Sequence, residues 1–207
     1  MNRKALILVV GATTYAVSVA DLKTHLNIET SAYDTLLGVY SAVAERHAEH
    51  ITGRAITPQS WKVILDDFPP DEDGYIELPR PPVSSSNISV EVKYVASSGA
   101  TLTMSSADFD VSTEFEPCRL YLRRDSSGDV TTSWPDTLRD VPQPVRVTYV
   151  TGYATVPEPI VHWIKLRVGQ MIEMREPIVI GEAFQNVRRD YVDGLLDEYI
   201  VFTGEEF

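Results

Sequence analysis

The feature that most constrains the fold is the abrupt change of period between Pro144 and Leu166, in PVRVTYVTGYATVPEPIVHWIKL. Apolar and polar residues alternate through Val145–Val150, which is typical of a strand with one buried face. The alternation ends at Thr151–Tyr153, and after two prolines the apolar residues recur at helical spacing. The stretch therefore predicts a border between a β region and an α region.

The remaining sequence shows the same two periods on the two sides of that border. Seven runs between Pro58 and Val150 alternate with period two and are joined by short turns, which predicts a small antiparallel sandwich or barrel. Helical periodicity precedes and follows them. We therefore predict an α+β protein in which residues 1–58 and 151–207 form one helical domain and residues 59–150 form an inserted β domain.

Capping residues and apolar spacing predict the helices. Ser18 is expected to cap the first helix and Ser31 the second, which should stop at Gly53. The four expected helices span about residues 20–26, 31–52, 160–174 and 189–202. In the second helix, one apolar stripe is expected to face the core: Leu36, Tyr40, Val43, His47 and Ile51.

The N-terminal run NRKALILVVGA has the basic start and the short apolar segment of a secretory signal. Thr13 and Thr14 interrupt that segment, and cleavage after Ala20 would remove the cap at Ser18. We therefore expect an uncleaved chain made in the cytoplasm. No apolar run approaches the roughly 20 residues of a membrane helix, so no membrane contact is expected.

The charge of the chain is unusual for a protein that acts on nucleic acid. The net charge is −12, with eight basic and fifteen acidic residues in 59–150 and five against ten in 151–207. Both regions would repel a phosphate backbone, because neither has the excess of basic residues that displaces counterions from nucleic acid. Tight binding to nucleic acid is not expected.

We find no motif that predicts catalysis, a metal or a cofactor. The histidines of ERHAEH, His47 and His50, lack the four-residue spacing of a helical metal site. The acidic run DDFPPDEDGYIE fails the ligand spacing of an EF-hand. Cys118 is the only cysteine and is expected to be a buried thiol. The alternative function is a carbohydrate-binding or hydrolytic module, with carboxylates at Asp108, Asp110, Glu114 and Glu116.

Several short motifs in a fixed order resemble one protein family. They are VSVADLKTHLNI, ERHAEHITGRAITPQSWKVILDDFP, IELPRPPV, WPDTL, VRVTYVTGY, VPEPI and a helix ending in MRE. From about Ser18 to Phe202 this order resembles the head–tail connector (adaptor) proteins of long-tailed bacteriophages and gene transfer agents. The terminal LLDEYIVF departs from the pattern at Ile200, where an arginine is often found.

The resemblance implies a structural virion protein and not an enzyme. In such a family, a helical core carries a β insertion, and copies form a closed ring beneath the portal, expected to be dodecameric to match it. The ring sits at the neck, joins the filled head to stopper or tail-terminator proteins, and lets DNA pass without specific binding. An acidic bore would let DNA slide, because it repels phosphate.

The C-terminal segment is the candidate portal-docking site. Connector proteins commonly dock through their terminal segment, and aromatic and leucine side chains often carry interface energy. The candidate residues are Arg188, Arg189, Tyr191, Leu195, Leu196, Tyr199, Ile200 and Phe202. The alternative is that this segment only completes the helical core.

The charge distribution predicts very weak DNA binding. At physiological salt we expect a dissociation constant for duplex DNA above about 10 µM, weaker than most non-specific binders. Fluorescence anisotropy with a labelled duplex measures it. A tight signal that collapses on adding salt would contradict this expectation.

Overall fold

A computed structural model describes residues 4–70, 74–83, 90–138, 141–174, 192 and 194–201. The chain divides into two compact units. The β unit contains the described parts of Met1–Thr13 and Pro58–Ala154, and the helical unit those of Thr14–Thr57 and Thr155–Val201. The change of period after Val150 thus falls where the chain passes from the β unit to the helical unit.

The β unit is built from antiparallel strands that form two sheets. The described strands are β1 (Lys4–Val10), β2 (Gln59–Leu65), β3 (Tyr75–Leu78), β4 (Val90–Val95), β5 (Thr101–Thr103), β6 (Phe109–Ser112), β7 (Cys118–Leu122) and β8 (Val145–Thr151). One sheet has the order β1-β2-β8-β4-β5 and the other β3-β7-β6. The seven predicted strands are β2 to β8, and with the helices described below the predicted α+β class is confirmed.

Strand β1 was not predicted. It pairs antiparallel with β2, from Lys4 opposite Leu65 to Val10 opposite Ser60. The described residues up to Thr13 therefore belong to the β unit, and their assignment to the helical domain is wrong. The error has a physical cause: the run is apolar on both faces. Ile7 is 46% exposed although it is apolar, so no polar alternation marks the strand.

The described strands of both sheets share an apolar core. The central strand β8 contributes Val145, Val147 and Tyr149, all of which are fully buried, as the alternation predicted. Strands of both sheets contribute the remaining large members of this core, among them Val63, Ile76, Leu78, Val92, Phe109, Leu120 and Leu122. Cys118 of β7 is also buried there, as predicted. Apolar burial on this scale is the main stabilising contribution to the β unit.

The end of β8 holds the Leu-Pro-Arg-Pro-Pro segment that follows β3. The Tyr149 hydroxyl donates to the carbonyl oxygen of Pro79 at 2.6 Å. The Thr151 hydroxyl lies within hydrogen-bond distance of the carbonyl oxygens of Arg80 and, at 2.7 Å, of Pro82. The Gly152 amide donates to the same Pro82 oxygen at 2.8 Å. A proline-rich segment has few amide donors, so its carbonyls are satisfied by donors from β8.

The helical unit contains α1 (Val19–Leu26), α2 (Asp34–Thr52) and α3 (Glu158–Glu173), with short 3-10 helices at Ser31–Tyr33 and Asp197–Tyr199. Ser18 caps α1 through its hydroxyl, which accepts from the Asp21 amide at 3.1 Å, as predicted. Gly53 ends α2 in the left-handed conformation, also as predicted. The prediction that Ser31 caps α2 is wrong, because Thr30 caps the 3-10 helix that precedes it.

The predicted core-facing stripe of α2 is also wrong. The buried side chains lie on a neighbouring face: Leu37, Ser41, Ala44, Glu45, Ala48 and Thr52. Val43, which was expected inside, is 49% exposed. This face carries small residues, so α1 and α3 can approach α2 closely, and the fully buried Trp163 of α3 supplies volume that α2 does not. Sequence periodicity favoured the larger side chains instead.

The bonds made by Thr151 predict a specific loss of stability. Thr151→Val keeps the shape of the side chain but removes the donor facing the carbonyls of Arg80 and Pro82. We expect the free energy of unfolding to fall by about 1–3 kcal/mol. Urea denaturation followed by tryptophan fluorescence measures this change.

Thr148→Val on the same strand is the matched control. Thr148 is half-buried, and its hydroxyl makes no hydrogen bond within the described residues, so its loss should change stability by no more than about 0.5 kcal/mol. Equal effects of the two substitutions would show that the Thr151 hydroxyl does not hold the proline-rich segment.

Candidate functional site

The structure describes half of the predicted docking residues. Arg188, Arg189, Tyr191 and Phe202 lie outside the described residues. Leu195, Leu196, Tyr199 and Ile200 are described. Residues 197–199 form a 3-10 helix and Ile200 is extended, with φ −69° and ψ 125°. For these residues the predicted α-helix is therefore wrong.

The described C-terminal residues are attached to the end of α2. The Val201 amide donates to the Thr52 carbonyl at 2.9 Å, and the Arg54 guanidinium donates through Nε to the Tyr199 carbonyl at 2.5 Å. The last carbonyls of a helix have no partner within the helix, and Val201 supplies one for Thr52. Arg54 is only 6% exposed, so its guanidinium is buried against the C-terminal segment to which it donates.

The segment is therefore divided between core and surface. Leu196 is fully buried within the chain and offers a partner no surface, so it acts as a core residue of the helical unit. Leu195, Tyr199 and Ile200 are half-buried and keep part of their side chains accessible. The sequence could not separate these roles, because all four residues are large and closely spaced.

A second arrangement lies on the buried face of α2. Hydrogen bonds from this face hold the chain segments that precede and follow the helix. The Glu45 carboxylate is 2% exposed and accepts from the Ala16 amide at 2.7 Å and from the Thr57 hydroxyl at 2.5 Å. Ser41 donates to the Val17 carbonyl at 2.9 Å, and Glu49 accepts from the Ile56 amide at 3.0 Å. Residues 16–17 and 56–57 are thus fixed to one helix.

Burial raises the pKa of Glu45 above its ordinary value, and the hydrogen bonds from Thr57 and Ala16 oppose that rise. A buried carboxyl with a raised pKa can mark a catalytic acid. Here each carboxylate oxygen accepts a bond from a structural donor, and the carboxyl is enclosed by its own unit. The geometry favours a structural role.

The described residues give little support to a metal or hydrolytic site. Within them, no group of three or more His, Cys, Asp or Glu could hold a metal ion. His47 lies edge-on to Trp163 with ring centroids 5.5 Å apart, which is a packing contact. The Arg123 guanidinium binds the Asp110 carboxylate, with Nη2 2.7 Å from Oδ1, at an exposed position. This ion pair engages one of the four carboxylates of the alternative site, Asp110.

A search of the described helices for a membrane span found none that is both long and apolar enough.

The turn between β6 and β7 was missed as a possible contact surface. Phe115 is 46% exposed there, between Glu114 and Glu116. Its ring is ordered by a cation–π contact, because the Arg119 guanidinium lies 4.5 Å from the ring centroid. Arg119 in turn stacks on Tyr75 at 4.2 Å. The sequence signal that could have indicated this surface is the Glu-Phe-Glu run, an aromatic residue between two acids in a turn.

Residues 16–101 match the family model described as phage gp6-like head-tail connector protein. The predicted resemblance to head–tail connectors is confirmed. The model covers α1, α2 and the chain as far as β5, which includes Glu45 with both of its donors. The family model is that of a structural connector and not of an enzyme, in agreement with the predicted class.

Solved structures with the same fold cover nearly the whole chain. A chain from the neck of an empty gene transfer agent (GTA) particle, computed with C6 symmetry, is 17% identical with a TM-score of 0.71. Chains from the neck of a native GTA particle, computed with C12 symmetry, and from the native GTA virion are each 16% identical, with TM-scores of 0.70 and 0.69. Each match covers 96% of both chains. A search of curated protein sequences found no match.

The buried Glu45 predicts a pH dependence of stability. Its folded pKa is above the unfolded value, so the unfolded state loses this proton first as pH rises from about 4.5. The free energy of unfolding therefore falls as pH rises from the unfolded pKa of Glu45 to its folded pKa. Above the folded pKa, Glu45 causes no further change with pH. Glu45→Gln can accept from Ala16 and donate to Thr57, and it carries no charge. Its stability relative to the wild type should rise between pH 4.5 and pH 7.

Glu45→Ala separates the bonds from the charge. It leaves the Ala16 amide and the Thr57 hydroxyl without their acceptor, so it should cost about 1–3 kcal/mol for each group at every pH. Urea titrations at several pH values measure both variants. If Glu45→Gln and the wild type keep a constant difference across this range, the carboxyl does not carry the proposed penalty.

Proposed function

We propose that the protein is a head–tail connector that forms a closed ring beneath the portal of a phage-like particle and joins the DNA-filled head to stopper or tail-terminator proteins. One observation carries the proposal: the fold similarity to a chain from a GTA neck computed with C12 symmetry extends over 96% of both chains. The family match at residues 16–101 supports the same function independently of the fold.

A closed ring fits the kind of association that a single chain of this type can make. In a ring, one surface of each copy meets a different surface of the next, and the rotation must close. The matched neck structures were computed with C6 and C12 symmetry, and a dodecamer would place one copy of the chain against each copy of a twelve-fold portal. The portal is therefore the proposed partner on one side of the ring.

The proposed role toward DNA is passage and not binding. The chain carries 30 acidic and 18 basic side chains, so a bore lined by it would repel the phosphate backbone. Repulsion keeps DNA from adhering to the wall as it moves. No specific contact with a base is needed for this function.

The C-terminal segment is the proposed portal-docking element, with one change from the sequence prediction. Leu196 anchors the segment in its own unit. The docking residues are then Leu195, Tyr199 and Ile200, together with Arg188, Arg189, Tyr191 and Phe202. Because Arg54 and Thr52 hold the backbone at Tyr199 and Val201, the side chains of Tyr199 and Ile200 are presented from a fixed backbone.

Particles made without this protein test the proposed function. We expect DNA-filled heads that carry portals but no tails, and full-length protein supplied in trans should restore tailed particles. Electron microscopy of purified particles counts the two forms. Normal tailed particles in the absence of the protein would contradict the proposed function.

The same assay tests the docking element. A chain that ends at Val201 keeps Leu196 and the two backbone bonds to α2 but lacks Phe202, so it should fold and restore fewer tailed particles than the full-length protein. Leu196→Ala is the matched control for folding, and should cost about 2–5 kcal/mol of stability. If the chain ending at Val201 restores tailed particles fully, residues 202–207 are not part of the portal contact.

A further inference from the structure

The exposed face of α2 has a composition that is unusual for this chain. Its solvent-facing positions follow steps of three and four residues and form one stripe, called here the α2 stripe: Thr35, Val39, Val43, Arg46 and His50. Val39 is 54% exposed and Val43 49% exposed. The stripe extends about 22 Å along the helix. It contains no acid, although the chain has a net charge of −12.

The acidic residues of α2 are all engaged elsewhere. Glu45 is buried and holds Ala16 and Thr57. Glu49 accepts from the Ile56 amide, and Asp34 pairs with Lys23 at 2.9 Å. Arg46 is exposed on the stripe, with Val43 one turn before it and Val39 one turn before Val43. A partner that suits this stripe presents an apolar group next to acids.

The β6–β7 turn presents such a group. Phe115 projects between Glu114 and Glu116, and the contact with Arg119 holds its ring in place. An exposed aromatic ring that is already ordered loses little side-chain entropy when it is buried against a partner. We call Glu114–Glu116 the acidic turn.

We propose that the acidic turn of one copy docks on the α2 stripe of the next copy, with Phe115 against Val39 and Val43 and Glu114 facing Arg46. This contact is one of the contacts that close the ring, and the inference rests on the proposed function. The two surfaces differ, which is what a heterologous, ring-forming contact requires. Their charges and apolar groups are complementary, and both surfaces belong to this chain.

Charge exchange tests the contact in particles that carry each variant as the only source of the protein. Arg46→Glu places like charges against Glu114, and Glu114→Arg places like charges against Arg46. Each should lower the yield of tailed particles at least about fivefold, because like charges at an interface are strongly unfavourable. The double variant Arg46→Glu with Glu114→Arg should recover to within about twofold of the wild type.

Asp66→Arg is the matched control, since it reverses an exposed acid of the β unit outside both surfaces. It should leave the yield unchanged. A double variant that is no better than either single variant would overturn the inference.

Cross-linking gives an independent measurement of the same contact. A chain with Val43→Cys and Glu114→Cys, oxidised in assembled particles, should give a ladder of multimers on a denaturing gel. The native Cys118 is 1% exposed and should not compete. The pair Val43→Cys with Asp66→Cys is the control and should stay monomeric.

The outcomes separate the inference from the proposed function. Particles that contain the protein at the neck in normal amount but give no ladder overturn the inference and leave the proposed function standing. Wild-type particles that lack the protein at the neck overturn the proposed function, and the inference fails with it.

Discussion

The helical unit depends on one buried carboxylate. Glu45 is 2% exposed, and its two oxygens bind the chain at Ala16 and at Thr57. The first contact lies just after the chain enters the helical unit at Thr14, and the second is at the last residue before it returns to the β unit at Pro58. A buried carboxylate is costly unless its oxygens accept hydrogen bonds. Separating the chain at Ala16 or at Thr57 from α2 would leave one of these oxygens unpaired, so both sites are held on the helix. This makes α2 the organising element of the unit.

A comparable constraint acts at the end of the inserted strands. Pro79, Arg80 and Pro82 present carbonyls in a segment poor in amide donors, and the donors are Tyr149 and Thr151 of β8 and Gly152 directly after it. The Thr-Gly-Tyr corner at the end of β8 therefore holds the proline-rich segment in place. Two motifs that are about 70 residues apart, and that both carry the family resemblance, are joined by the hydrogen bonds of this corner.

These two constraints explain how the chain can expose the apolar side chains of its proposed contact surfaces without losing stability. The hydrogen bonds of Glu45 and Thr151 lie in the interior of their units, so they hold the backbone without using the exposed side chains. Val39 and Val43 of the α2 stripe and Phe115 of the acidic turn are exposed on elements whose backbones are fixed by other residues. The proposed portal contact is arranged in the same way, because Leu196 anchors the segment while Tyr199 and Ile200 keep exposed surface. Rigid supports of this kind reduce the entropy lost on assembly.

Local sequence patterns were enough to predict the α+β class, seven of the strands, the cap at Ser18 and the stop at Gly53. These features follow from period and local backbone chemistry, which act over a few residues. The tertiary structure decided which face of α2 is buried, because close packing on α1 and α3 favours Ala44 and Ala48 over larger apolar residues. It also decided that β1 joins β2 and that Leu196 is core. Both depend on partners distant in sequence, and a run that is apolar on every face carries no signal of where those partners lie.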